Sequence, residues 1–120
     1  MRPFGRVTAR AALLFIAAAP FAEAGVIFVN GAATGANNGS SWANAYVSLQ
    51  SGLTAAGSSD EIWVAAATYK PTATIDRTIS FALKNGVGVY GGFNGTETQR
   101  SQRNPAVNVT ILSGDIGTPG

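Results

Sequence analysis

Glu61-Ile62-Trp63-Val64-Ala65-Ala66, Val87-Gly88-Val89-Tyr90-Gly91-Gly92 and Val109-Thr110-Ile111-Leu112-Ser113-Gly114 are three short apolar runs in the second half of the chain. They recur at a nearly fixed spacing, 25 residues from Ile62 to Val87 and 22 from Val87 to Val109. β-Branched and aromatic residues in runs of this length predict strands. A period of this size marks a solenoid, in which each unit buries its apolar face only against its neighbours. The recurrence speaks of architecture and is silent on chemistry.

Outward from these runs the remaining elements can be placed. Val26-Ile27-Phe28-Val29 predicts a first strand that ends at Asn30-Gly31, and Thr34 to Ser40 reads as loop, because these residue types bond their own backbone and tolerate positive φ. Trp42, Ala45, Tyr46, Leu49, Leu53 and Ala56 fall at helical spacing. They predict an amphipathic helix of about four turns, capped by Ser40 or Ser41 and closed at Gly57. Pro71 and the threonines after it predict a turn. Thr78 to Lys84 alternates, with Ile79, Phe81 and Leu83 on one face, and predicts another strand before the Asn85-Gly86 turn. Gly95 to Asn104 is a polar excursion closed by Pro105. The chain stops at Thr118-Pro119-Gly120 with no capping element, which reads as a fragment or an early truncation.

The first two dozen residues read as a segment that is removed. Arg2, Arg6 and Arg10 precede the apolar run 11–19, Pro20 breaks it, and Ala22-Glu23-Ala24 supplies small residues for cleavage after Ala24. This is the pattern of a secretory signal, and nine apolar residues fall short of the roughly 20 that span a bilayer. The expected organisation is a signal peptide at 1–24, a strand, loop and capping helix at 25–60, and strand-bearing coils at 61–120. The net charge of +2 resides wholly in these first 24 residues. Beyond Ala24 five basic residues face five acidic ones, which gives no electrostatic footprint for nucleic acid or anionic lipid. The chain has neither cysteine nor histidine. Disulfides, the commonest metal ligand and the commonest general acid–base are therefore all missing.

Taken in order, Phe28-Val29-Asn30, the stretch Gly35 to Trp42, Leu49-Gln50 and the stretch Asp60 to Tyr69 resemble the opening of secreted bacterial proteins of the pectin-lyase-like superfamily. So do Leu83 to Val87, Tyr90-Gly91-Gly92-Phe93 and Thr110 to Asp115. The resemblance implies a mainly β fold, the first coils of a right-handed parallel β-helix, with an N-terminal amphipathic helix laid over the open end. On that reading Trp42, Leu49 and Leu53 are cap residues, and Asp at both leucines is expected to cause self-association. The resemblance further implies a non-catalytic part of a secreted or surface-displayed protein, engaged in adhesion or polysaccharide contact. The alternative it leaves is the start of a polysaccharide lyase or glycoside hydrolase whose active site lies beyond residue 120. Ala67 and Ser59 depart from the family pattern, standing where glycine is usual; any need for positive φ there would bring strain.

Candidate chemistry is thin. Asp60, Glu61, Asp76, Glu97 and Asp115 show no ligand or catalytic spacing, and Asp60 and Asp115 sit where Asp bonds a turn backbone. Arg100 and Arg103 read as a helical turn in which Glu97 pairs with Arg100, against a role for Arg103 as a charge stabiliser for a uronate. Trp63, Tyr69, Tyr90 and Phe93 read as core or its flank, against an exposed sugar-stacking platform. Asn38, Asn94 and Asn108 each open a glycosylation sequon, read as incidental. No catalytic, cofactor-binding or metal-ligating residue is assigned.

Overall fold

The computed structural model describes residues 25–116; the signal read at 1–24 and the Thr118-Pro119-Gly120 end lie outside the described residues. Val26–Val29 forms β1, Glu61–Ala65 β2, Ala67–Tyr69 β3, Gly88–Phe93 β4 and Thr110–Leu112 β5, with a helix, α1, at Leu49–Ala55. β1, β2 and β4 make a parallel sheet with β2 in the middle, and β3 and β5 make a second parallel pair. Pairing aligns Ile27, Ile62 and Val89 in one row and Phe28, Trp63 and Tyr90 in the next. Successive residues of a strand face opposite ways, so the sheet has two faces of different content. On one face Val29, Ile62 and Val64 are buried in a cluster with Leu49 and Leu53 of α1. The other face is aromatic. β2 is covered on both, which is why its sequence is a continuous apolar run and not an alternation.

A bulge in β4 builds the aromatic face. Trp63 pairs with Tyr90 but Ala65 pairs with Phe93, so β4 carries one extra residue in that interval. Gly92 absorbs it at φ 89°, a conformation that costs glycine little. The inserted residue turns Phe93 onto the side of Trp63, where the two rings stack at 4.9 Å with 9° between their planes. Phe28 and Trp42 complete the cluster with edge and tilted contacts. A bulge leaves backbone groups without ladder partners, and Thr110 supplies them. Its Oγ1 accepts from Gly92 N and lies 3.2 and 3.3 Å from the carbonyl oxygens of Val64 and Ala65, to which it donates.

The structure corrects several expectations. The right-handed parallel β-helix is not what the chain forms: the described residues contain two small sheets and a short helix, with no stack of coils. The three recurrent runs are not equivalent units. β2 and β4 share a sheet, whereas Thr110–Leu112 pairs with β3 in the other, and its Ile111 and Leu112 are exposed. Spacing along a chain reports a repeated length, but pairing register decides which faces meet. The alternating run at 78–84 forms no strand. Gln50 bonds its backbone instead, Nε2 donating to Ser80 O and Oε1 accepting from Ala82 N, and Leu83 is left exposed.

The helix also differs from its expected extent. It has seven residues, because the segment before it pairs with β1: Tyr46 N donates to Phe28 O and Asn30 N to Tyr46 O. That pairing covers the outer edge of β1. Ser48, not Ser40 or Ser41, is the N-cap, its Oγ accepting from Ser51 N, and Lys84 Nζ donates to the carbonyls of Thr54 and Ala56 at the helix end. Trp42 is therefore not on the helix. Leu49 and Leu53 are fully buried against the face of the sheet, so Asp at both positions is expected to unfold the protein and not merely to uncover an end.

Candidate functional site

Tyr90 stands at the end of the aromatic row on β4, half-buried. Two arginines close over it. The guanidinium carbon of Arg100 lies 4.5 Å from the ring centroid and that of Arg103 5.5 Å, within reach of the cation–π attraction. Arg100 opens a 3-10 turn at Arg100–Gln102, and Arg103 is its C-cap. Residues three apart eclipse in such a turn, which puts both guanidinium groups on the same side. Gln102 Oε1 accepts from Thr98 N and Gln99 N and so fixes the entry to the turn.

Each arginine is anchored once. Arg100 Nη1 donates to Glu61 Oε2 at 2.8 Å, and Glu61 Oε1 accepts from the Trp63 indole at 2.9 Å. Arg103 Nη1 donates to Gly91 O at 3.0 Å. A guanidinium carries five N–H donors in a fixed fork, so most of the donors beside the Tyr90 ring remain for a ligand. The excursion that carries the arginines is itself held from below. Glu97, only 8 % exposed, accepts from the N–H groups of Asn94, Gly95 and Thr96. Its own carbonyl accepts from the Trp42 indole at 2.8 Å. Burial works to raise the Glu97 carboxyl, but the backbone N–H groups of Asn94, Glu97, Thr96 and Gly95 outweigh it and hold the pKa below the usual value.

The residues singled out in the sequence are thus distributed unevenly. Trp63 and Phe93 are buried in the aromatic face and Tyr69 in the core, so of these four aromatics Tyr90 alone is more than marginally accessible. The Tyr69 hydroxyl donates to Ala65 O and accepts from Gly31 N, and burial raises its pKa against the opposing effect of that N–H. Arg100 pairs with Glu61 and not with Glu97. Asp60 accepts from Gly25 N and Gly57 N. Asp76 is held by the Thr78 hydroxyl and N–H, which lower its pKa. No group of three or more carboxylates able to hold a metal ion occurs among the described residues. Sequence reading weighed Tyr90 and Arg103 separately for sugar contact and set both aside; that they meet, together with Arg100, depends on the fold.

Two shallow grooves lie elsewhere. One of about 510 Å³ runs along α1 past Tyr46, Ser48, Gln50 and Thr54, and one of about 360 Å³ lies between Val47 and Thr72. In the first, Ser48 and Gln50 are already bonded to the protein. No helix among the described residues is long and apolar enough to cross a membrane. The chain matches no family model, no curated protein and no solved structure.

Proposed function

We propose that the chain is a non-catalytic module, secreted or displayed at the cell surface, that contacts extracellular polysaccharide or other cell-surface components through Tyr90, Arg100 and Arg103. The observation that carries this reading is the half-buried ring clasped by two guanidinium groups with donors to spare. A sugar offers that arrangement hydroxyl or carboxylate oxygens for the arginines and apolar C–H groups for the part of the Tyr90 ring that they leave exposed. Export is supported by the signal pattern at 1–24, and a non-catalytic role by the absence of histidine and cysteine from the whole sequence. The carboxylates Asp60, Glu61, Asp76 and Glu97 are engaged with backbone or neighbouring side chains.

The test is retention of the folded protein on a panel of immobilised neutral and acidic polysaccharides. Tyr90→Ala and Arg103→Gln are each expected to weaken retention about fivefold or more, the loss corresponding to about 1 kcal/mol of contact. Retention that both variants leave unchanged would overturn the site. Release of unsaturated product from polygalacturonate by this chain would overturn the non-catalytic reading.

A further inference from the structure

Four Asn-Gly dipeptides occur in the chain, at 30–31, 38–39, 85–86 and 94–95. Glycine lacks a Cβ, so its backbone nitrogen can approach the side-chain amide of the preceding asparagine more closely than that of any other residue. In three of the four the fold holds both reacting groups. Asn30 Oδ1 accepts from Ala32 N while Gly31 N donates to the Tyr69 hydroxyl. Asn38 Oδ1 accepts from Ser40 N and Oγ while Gly39 N donates to Asn44 O. Asn94 Oδ1 accepts from Thr96 N and Oγ1 while Gly95 N donates to Glu97 Oε1. Asn85 is different. It is exposed, and neither its side chain nor Gly86 N has a hydrogen-bond partner among the described residues. It occupies the second position of a turn closed by Val87 N donating to Lys84 O, with Gly86 at φ 80°, so the closing bond engages neither Gly86 N nor the Asn85 side chain.

We propose that Asn85 is a site of spontaneous deamidation, selected among the four by the fold. Gly86 N, giving up its proton to hydroxide, attacks Asn85 Cγ. The C–N bond to the side-chain amide breaks and ammonia leaves, closing a five-membered imide. Water then opens the ring at either carbonyl, giving aspartate or isoaspartate. In both products a neutral amide has become a carboxylate. It arises beside Lys84, whose Nζ holds the end of α1. The isoaspartyl product also lengthens the backbone by one carbon just before β4, where Ser59 N donates to Gly86 O and Gly88 N to Asp60 O. The modification therefore acts on the seam between α1, the 57–60 loop and β4.

The test incubates the folded full chain at mildly alkaline pH. Peptide mapping follows the amide-to-acid mass change at each of the four sites, with enzymatic methylation of isoaspartate as a second readout. Asn85 is expected to convert roughly tenfold or more ahead of the others, since each of those must first break one or more hydrogen bonds. In denaturant the four rates are expected to converge, and Asn85→Gln is expected to remove the leading phase. An even rate at all four sites in the folded protein, or the same ranking in the unfolded chain, would overturn the proposal.

Discussion

Ser59 holds φ at 77° in the loop between α1 and β2. A side chain in that region crowds its own carbonyl, at about 1–2 kcal/mol for a non-glycine residue. The conformation persists because both sides of the residue are tied: Ser59 N donates to Gly86 O and Asp60 N to Gly57 O. Asp60 further bonds Gly25 N and Gly57 N. Ser59→Gly removes the strain but gives the unfolded chain more freedom. The expected result is a net gain of about 0.5–1 kcal/mol by denaturant titration, and a loss of stability would show that the hydroxyl contributes more than the strain costs. Ala67, the other residue standing where glycine was considered, lies in β3 without positive φ, and no such gain is expected there. Sequence reading could name both positions but not separate them, since φ is set by where the chain must go next.

Gly52 shows how an element's surroundings overrule its intrinsic preferences. A glycine inside a helix is ordinarily a weakness, and alanine there should stabilise by about 1 kcal/mol. A Cβ at Gly52 would lie 2.8 Å from Val29 Cγ2, in the buried cluster where α1 meets the sheet. Val29 is β-branched and cannot rotate away freely. Gly52→Ala is therefore expected to destabilise by about 1–3 kcal/mol, seen as a lower midpoint of thermal unfolding; a raised midpoint would mean that α1 can shift off the sheet. The strand signals at β1, β2 and β4 were legible from composition, because β-branched and aromatic runs suit a pleated surface. The length of α1 was not. Trp42 and Tyr46 keep helical spacing with Leu49 and Leu53, but Tyr46 gives its backbone to β1 and Trp42 its ring to Phe28 and Phe93. The apolar run in this part of the sequence stops at Gly92, but the double glycine at 91–92 is the bulge that carries β4 on to Phe93.

Across the whole molecule, Glu97 is the point at which the N-terminal loop, the aromatic face and the arginine-bearing excursion meet. Its carboxylate gathers three backbone N–H groups while its carbonyl takes the Trp42 indole. The folded pKa is depressed, so the carboxylate's contribution is complete above the ordinary carboxylate value and is lost as pH falls through the lower folded value. Glu97→Gln turns an amide N–H₂ toward donors and is expected to cost about 1–3 kcal/mol at neutral pH. The difference from the parent should narrow as the solution is acidified below the usual carboxylate range; a gap independent of pH would assign the loss to packing. The sequence by itself determined the even charge balance beyond Ala24 and the runs that become β1, β2 and β4, because these follow from local composition and periodicity. It also showed the want of histidine and cysteine. Tertiary structure alone decided that the recurrent runs divide between two sheets, that Phe93 turns onto Trp63, and that Arg100 and Arg103 close on Tyr90. Each of these depends on register between distant segments, and a shift of one residue reverses which face a side chain meets.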